Sequence, residues 1–276
     1  MQIIDTDTYP IHDRAAPAFR ALLDQVQGAL DRDGCAVLKG FVRPTAIPEL
    51  VKEAETAAPR AHRSTGRTNA YFTKDDPTLP PDHPMRRFYD RSNAFIPGDN
   101  FGGESLLRQI YTWSPFAAFA KSALRQDRFF PYADPLGDVI VNAADEGNGF
   151  PWHFDTNNFT LTLCLQNADG GGAFEYAPNI RLEGENFAAV SAVLNGSSPL
   201  IKTLHLEPGD LQIFKGRYSL HRVAPLKGKT PRYVAIFSFV EDPDMVGAPE
   251  RTKQLYGKVL PIHYERAGLR ADEFID

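Results

Sequence analysis

A histidine and an aspartate stand two residues apart in the middle of the chain, in FPWHFDTNNFTLTLCLQ, residues 150–166. Side chains alternate between the two faces of a β-strand. On a strand, His153 and Asp155 would therefore project the same way, and Phe154 would point into the opposite layer. An imidazole and a carboxylate placed in this manner are two of the three ligands of a facial metal-binding triad. The pair alone is weak evidence, because the chain has 7 histidines and a chance His-x-Asp is common.

A third ligand is expected on a strand that lies alongside the first. His221, in GRYSLHRVAP, follows a tight turn and an apolar run, LEPGDLQIF. His205 alternates with two leucines, which favours a surface or core position. The remaining histidines lie outside the β-rich part of the chain: His12, His62, His83 and His263. The pattern therefore predicts Fe(II) held by His153, Asp155 and His221, with open positions for a co-substrate and O2.

An arginine follows His221 by eleven residues, at the start of RYVAIFSFV. On a strand, Arg232 would share one face with Val234, Ile236 and Ser238. An arginine on such a face either extends its charged end to solvent or pairs with an anion. A guanidinium fork is well matched to a carboxylate at the base of a pocket.

The chain changes character near residue 138. Before it, apolar spacing predicts helices over 17–34, 46–57 and 104–126, the first of them ended by Gly34. After it, short β-type runs such as DVIVNAA and FTLTLCLQ follow one another between turn signals, with no helix between them. Helices followed by strands are typical of an α+β chain with an antiparallel sandwich or barrel as its core.

A segment rich in Pro, Asp, Asn and Gly occupies residues 64–103. A loop of that length in a compact domain is usually functional or disordered, and its aromatic residues argue against disorder. We therefore expect a packed covering over the site. The predicted organisation is a single domain over 1–276, with 1–133 as helical support and covering loop, 134–245 as the β-core and 246–276 as a C-terminal extension.

The bulk composition narrows the function classes. The 276 residues carry a formal net charge of -5 with a pI near 5.8, which argues against a nucleic-acid binder. Two cysteines give no disulfide framework, as suits a reducing cytoplasm. No signal peptide is visible, and no apolar run approaches the roughly 20 residues of a membrane-spanning helix. We expect a cytoplasmic protein that acts on a small molecule, without a nucleic-acid or membrane partner and with its oligomeric state undetermined.

Taken together, the motifs resemble the Fe(II)/2-oxoglutarate-dependent oxygenases: HxD, a distal histidine in HRVxP, and an arginine shortly after it. A longer pattern resembles the branch that contains hydroxylases and radical halogenases acting on free amino acids. The segments that carry this longer resemblance are HPMRR, SLLRQIY, YADPLGDVIVN, PWHFDTNNFTLTLCLQ, GGGAFEYAPNIR and SLHRVAP.

The resemblance implies a double-stranded β-helix core (jelly-roll or cupin-like) with N-terminal helices packed on it. It implies that Arg232 binds the distal carboxylate of 2-oxoglutarate. Asn142 matches family positions near the co-substrate, although an amide that satisfies a turn at a strand end explains it equally well. Many relatives carry a serine two residues after the arginine. Here that position is Val234, so another hydroxyl is expected to assist Arg232.

The resemblance also implies the reaction: hydroxylation of an unactivated C–H bond, with 2-oxoglutarate and O2 consumed. In the resembling halogenases a small residue replaces the carboxylate ligand and leaves room for a halide. Asp155 fills that position, so hydroxylation is the expected outcome. Desaturation or oxidative cyclisation, which share the first hydrogen abstraction, stay open. A metal-binding cupin-like protein without redox activity is a second class, although it would not need Arg232. A hydrolase is disfavoured because no G-x-S-x-G is present.

The expected substrate is a free amino acid or a related small acid. The strand face with Val234, Ile236 and Ser238 predicts a small aliphatic group at the oxidised end. Arg86 or Arg91, both on the covering segment, would supply the cation for a carboxylate. The alternative is that these arginines belong to a solvated surface, as short basic clusters usually do.

Overall fold

The structure is a computed structural model that describes residues 2–156 and 159–266. In this part of the chain, the helices are α1 (Pro17–Asp33), α2 (Ile47–Ala57), α3 (Leu106–Thr112), α4 (Ser114–Ala123), α5 (Phe187–Leu194), α6 (Pro249–Tyr256) and α7 (Pro261–Glu265). The first strands are β1 (Cys35–Leu38), β2 (His62–Thr68), β3 (Tyr89–Ile96), β4 (Phe130–Pro131), β5 (Val139–Ala144), β6 (Phe150–His153) and β7 (Phe159–Gln166). The later strands are β8 (Gly170–Gly171), β9 (Phe174–Ala177), β10 (Lys202–Leu204), β11 (Leu211–Phe214), β12 (Leu220–Val223), β13 (Leu226–Lys227) and β14 (Arg232–Val240).

Two antiparallel sheets form the β-structure. The major sheet has the order β1-β11-β7-β14-β5-β3-β2, with β4 also paired to β14, and the minor sheet has the order β10-β9-β12-β6. The short strands β8 and β13 pair with each other. Antiparallel sheets accompanied by helices confirm the predicted α+β class. Among the described residues, no helix is long and apolar enough to cross a membrane.

The central strand β14 shows why the major sheet has two different faces. Its odd-numbered residues Tyr233, Ala235, Phe237 and Phe239 are buried in the main hydrophobic core. Its even-numbered residues line a cavity on the other side, from Arg232 to Ser238. The alternation predicted from RYVAIFSFV is thereby confirmed.

Helices α1 to α4 cover the core face of the major sheet. Helix α1 buries Phe19, Leu22, Val26 and Leu30, at helical spacing, and ends where Gly34 adopts a φ of 62° and donates its N–H to the carbonyl of Leu30. From α4, Phe116 packs edge-on against Phe237, with ring centroids 5.5 Å apart. Because the helices cover this face, the opposite face of the sheet is left to line the cavity.

Three elements differ from the sequence prediction. The expected covering loop over 64–103 contains most of β2 and all of β3, which extend the major sheet beyond β5. The expected helix over 104–126 is two helices, because the backbone at Trp113 is extended and Pro115 opens the first turn of α4. Helix α5 interrupts the β-region, although no helix was expected there.

Candidate metal centre

Two histidines come together through strand pairing in the minor sheet. His153 is the last residue of β6, and His221 lies directly opposite it on β12. Their ring centroids are 4.1 Å apart. Since directly opposed residues of an antiparallel pair place their side chains on the same face, the register alone brings the two imidazoles side by side.

The aspartate joins them from outside the strand. Strand β6 ends at His153, so Asp155 lies in the following loop and not on the strand face that the sequence indicated. The loop is held by backbone hydrogen bonds from Phe154 N to the carbonyl of Ala70 (3.0 Å) and from Asp155 N to the carbonyl of Gly216 (3.1 Å). These bonds turn the carboxylate towards the two histidines.

The three side chains are arranged as a metal-binding site. Asp155 Oδ1 lies 3.3 Å from His221 Nε2 and 3.8 Å from His153 Nε2. One ligand atom from each residue falls within 4.8 Å of the others. The Nδ1 atoms donate to backbone carbonyls, His153 to Pro151 (2.8 Å) and His221 to Ser219 (2.9 Å). With Nδ1 protonated, both Nε2 lone pairs are available to one metal ion.

Burial keeps His153 in the form that binds metal. Desolvation lowers the pKa of His153 well below its usual range, and the nearby His221 lowers it further. Phe150 stacks on the His153 ring at a centroid distance of 3.9 Å, and Phe214 packs against His221 at 4.9 Å. A neutral imidazole in such apolar surroundings is a ligand, not a cation.

Two fully buried arginines brace the loop that carries Asp155. Arg217 is 0% exposed, and its Nη1 donates to the carbonyls of Asp155 (3.3 Å) and Thr156 (3.4 Å). Arg181, also 0% exposed, donates from Nε to the carbonyl of Arg217 (2.6 Å). Its guanidinium carbon lies 3.9 Å from the ring centroid of Phe154. Arg181 ends the segment GGGAFEYAPNIR and Arg217 begins RYSLHRVAP, but neither arginine was predicted to act at the site.

Glycine is required behind the aspartate. A Cβ added at Gly216 would overlap Asp155 Oδ2, and the carbonyl of Gly216 already accepts the N–H of Asp155. The carboxylate is therefore packed against the backbone of residue 216. Any side chain at that position would displace Asp155 from the two histidines.

A cavity of about 170 Å³ lies between the two sheets, and all three triad residues line it. Arg232 lines the same cavity and is only 7% exposed. Among the described residues, no carboxylate forms an ion pair with it, and desolvation lowers its pKa. A buried guanidinium without an anionic partner is costly, so this arrangement favours an anionic ligand.

Val234 stands where many relatives carry the serine that assists the arginine, so the polar side chains around Arg232 are of interest. Val234 lies opposite Asn142 on β5 and opposite Cys164 on β7. Asn142 lines the cavity and donates from Nδ2 to the carbonyl of Ala94 (3.2 Å). Thr162, two residues before Cys164 on β7, also lines the cavity, and its hydroxyl donates to Gln212 Oε1 (2.8 Å).

Of the three residues predicted to bind the substrate, one lies at the cavity and two do not. Ser238 lines the cavity, whereas Arg86 lies in an outer groove, where it pairs with Asp75 (3.0 Å). Arg91 is buried behind the rings of Phe72 and Phe150, with its guanidinium carbon 5.9 and 5.4 Å from their centroids. Neither Arg86 nor Arg91 lines the cavity.

A second arginine of the cavity wall was not anticipated. Arg251, on α6, lines the cavity beside Phe72. It belongs to the expected C-terminal extension, where PERTKQLY shows no motif. Proximity to the cavity arises only from how α6 packs against β2 and β3.

Residues 20–256 match the family model described as Halogenase D. The chain belongs to this family. The match spans most of the 276 residues and agrees with the branch that the sequence motifs indicated. No curated protein matches this chain.

Solved structures show the fold of this Halogenase D member. The non-heme alpha ketoglutarate dependent epimerase SnoN from nogalamycin biosynthesis is 14% identical, with 80% of this chain and 84% of that chain covered and a TM-score of 0.58. The carbocyclase SnoK from the same biosynthesis is 9% identical, with 79% and 83% covered and a TM-score of 0.55. EctD from S. alaskensis, solved with 2-oxoglutarate and 5-hydroxyectoine, is 15% identical, with 78% and 74% covered and a TM-score of 0.51. The predicted resemblance to Fe(II)/2-oxoglutarate-dependent oxygenases is thereby confirmed at the level of the fold, and the Halogenase D match agrees with the predicted branch.

Proposed function

We propose that this protein is an Fe(II)/2-oxoglutarate-dependent oxygenase that hydroxylates an unactivated C–H bond of a free amino acid or a related small acid. One observation carries the proposal. His153, Asp155 and His221 converge at a cavity that also holds a buried arginine with no carboxylate partner among the described residues. A metal-binding protein without redox activity has no need of such a cation beside the metal.

The donor set fits Fe(II). Two neutral imidazoles and one carboxylate, all with their ligand atoms within 4.8 Å, match the facial triad of non-heme iron oxygenases. When bound, Fe(II) with 2-oxoglutarate and O2 supplies the oxidation of a C–H bond. His153 and His221 hold the metal through Nε2, and their Nδ1 hydrogen bonds fix the ring orientation. The surrounding phenylalanines exclude water from the reacting atoms.

Arg232 is the proposed partner of the distal carboxylate of 2-oxoglutarate. The guanidinium donates two parallel hydrogen bonds to a carboxylate in the bidentate arrangement that arginine favours. Asn142, opposite Val234, is the proposed polar neighbour that replaces the serine found in many relatives. The double-stranded β-helix is the proposed description of the two sheets, and the chain is proposed to be one oxygenase domain.

Asp155 favours hydroxylation over halogenation, even though the family takes its name from a halogenase. Its Oδ1 lies close to both Nε2 atoms, so the third ligand position is filled by a carboxylate. The packing of Gly216 against Asp155 keeps the carboxylate there. A halide therefore finds no vacant position in place of this ligand.

A direct assay tests the proposal. The protein is incubated with Fe(II), 2-oxoglutarate and ascorbate, in chloride buffer, with a panel of free amino acids and small carboxylic acids. We expect substrate-stimulated succinate formation and a product that has gained oxygen. His153→Ala, Asp155→Ala and His221→Ala should each abolish turnover while the circular dichroism spectrum is kept. A chlorinated product would refute hydroxylation, and retained turnover in two of the three variants would refute the triad.

A further inference from the structure

The register of the major sheet divides the cavity into two ends. On β14, Arg232 pairs with Ala144, whereas Ile236 pairs with Ile140 towards the start of β5. A strand rises about 3.3 Å per residue, so Arg232 and Ile236 are separated by roughly 13 Å. If 2-oxoglutarate binds at Arg232, the end beyond Ile236 is left for the substrate.

Helix α6 closes the substrate end. Leu255 and Tyr256 line the cavity together with Arg251, which is one turn before Leu255 on the same helix face. A Cβ added at Gly137, just before β5, would lie 3.3 Å from the hydroxyl of Tyr256. Tyr256 therefore sits beside the start of β5, at the end of the cavity remote from Arg232.

At the substrate end, the described residues contribute hydrocarbon and hydroxyl groups but no carboxylate. Its walls combine hydrocarbon from Ile140, Ile236 and Leu255 with the hydroxyl-bearing residues Thr160 and Ser238. Among the described residues that line the whole cavity, Asp155 is the one carboxylate, and it is assigned to the metal. A substrate side chain with an ammonium or guanidinium group would therefore be desolvated there without a counter-ion, which is costly.

Among the described residues, Arg251 brings a positive charge to the wall that α6 forms. Its guanidinium carbon lies 4.0 Å from the ring centroid of Phe72, and Nη1 donates to Gln254 Oε1 (2.8 Å). The Phe72 ring packs in turn against His153, at a centroid distance of 5.6 Å. One ring thus separates the Arg251 guanidinium from a metal ligand, close enough for a small substrate to contact both regions.

We infer that Arg251 binds the carboxylate of the substrate, and that the substrate is a small carboxylic acid or amino acid with a hydrocarbon side chain and no side-chain cation. The inference rests on the proposed function and narrows its substrate class. Arg251 takes this role in preference to Arg91 because Arg251 lines the cavity, whereas Arg91 lies behind Phe72 and Phe150. The side chain then extends over Ile140 and Ile236 towards the metal.

Paired probes test the anchor and the side-chain class together. The wild-type protein, with Fe(II) and 2-oxoglutarate, is assayed for succinate and oxidised product with leucine, phenylalanine, lysine and leucinamide. We expect leucine or phenylalanine to be turned over with a kcat/KM at least about tenfold above lysine. Leucine should exceed leucinamide by roughly tenfold or more, because the amide lacks the charge that strengthens a hydrogen bond to arginine.

The variant Arg251→Ala should lose that preference. Its KM for leucine should rise roughly tenfold or more, while its KM for leucinamide should change little. The ratio of kcat/KM for leucine to kcat/KM for leucinamide should therefore approach one. Arg251→Lys should restore part of the preference, because the charge returns without the fork. Lys253→Ala is the matched control, since it removes a positive charge from the exposed side of the same helix and should leave the ratio unchanged.

The outcomes separate the inference from the proposed function. Lysine used as well as leucine, or a ratio unaffected by Arg251→Ala, overturns the inference while the oxygenase stands. A ratio that collapses in Arg91→Met but not in Arg251→Ala transfers the anchor to Arg91 and also overturns it. Succinate formed only at a slow rate that no acid stimulates refutes the inference and the substrate class. No succinate under any condition refutes the oxygenase itself.

Discussion

At the scale of single residues, Arg232 carries the most direct prediction about the co-substrate. Arg232→Met removes a buried guanidinium but keeps most of the apolar stem. A charge-assisted hydrogen bond contributes about 1.5–3 kcal/mol, so the KM for 2-oxoglutarate should rise by roughly one to two orders of magnitude. Succinate formation measured against 2-oxoglutarate concentration checks this. An unchanged KM would assign the anchor to another residue. Arg222 is the next arginine to test, and it is paired with Glu175 in this structure.

Gly216 gives a second residue-scale prediction. In Gly216→Ala the new methyl group would overlap Asp155 Oδ2, so the carboxylate must move away from the histidines. We expect a large loss of Fe(II) affinity, measured by titration of the metal-free protein, with the melting temperature lowered only moderately.

Gly28→Ala is the matched control for Gly216→Ala. Gly28 lies in α1, and nothing lies within 4 Å of a Cβ added there. This change should leave iron binding intact and stabilise the helix by about 1 kcal/mol. Equal iron affinity in both variants would show that the backbone at residue 216 does not position Asp155.

The residues that sequence reasoning found are those with a motif. His153, Asp155, His221 and Arg232 each stand at a fixed place in HxD, HRVxP or the following strand, and the structure brings all four to one cavity. Arg251 has no such pattern, because it reaches the cavity only through the packing of α6 on β2 and β3. A pairwise sequence pattern carries no signal for a contact of that kind.

At the scale of elements, the loop between β6 and β7 decides where the carboxylate lies. Arg217 donates two hydrogen bonds to its backbone carbonyls, and Arg181 donates to the carbonyl of Arg217. Arg217→Met removes these donors and leaves two carbonyls without them, at a cost of about 1–3 kcal/mol for each group left unsatisfied. We expect weaker Fe(II) binding together with lower stability.

Two measurements distinguish positioning from general stability in the Arg217→Met variant. The iron dissociation constant is measured well below the melting temperature, where the variant is folded, and the thermal unfolding of the metal-free protein is measured separately. A lower melting temperature with wild-type iron affinity would mean that the arginine stabilises the fold without positioning Asp155.

Sequence patterns predicted the strands that have an apolar face and missed the strands that have none. In β14, alternation between core and cavity marks every second residue, so its faces could be assigned from the sequence. Strand β2, HRSTGRT, lies at the edge of the sheet and buries only Ser64 and Thr68. It is held by backbone pairing to β3, which leaves no hydrophobic period. Helix α5 did carry a signal: Asn186, whose side chain accepts the N–H of Ala189 at its N-terminus.

At the scale of the whole molecule, the C-terminal helices belong to the site rather than to an appendage. Helix α6 contributes three residues to the cavity wall, and the segments before and after α6 both contact the buried carboxylate of Asp134. His263 Nε2 lies 3.0 Å from Asp134 Oδ1, and these side chains are 0% and 1% exposed. The same carboxylate accepts the N–H groups of Leu136 (2.8 Å) and Gly247 (3.1 Å). Asp134 therefore ties the C-terminal segment to the start of the β-core.

Asp134→Ala should loosen that segment. The change leaves the N–H groups of Leu136 and Gly247 without their acceptor, at a cost of about 1–3 kcal/mol for each buried group left unsatisfied, so the melting temperature should fall by several degrees. Because α6 carries Arg251 but none of the metal ligands, the KM for the substrate should rise much more than the KM for 2-oxoglutarate or the dissociation constant for iron. Steady-state kinetics and metal titration of the same preparation, both below the melting temperature, check the split. Equal losses in all three quantities would mean that Asp134 stabilises the whole fold, and that α6 does not act as a separate wall of the substrate end.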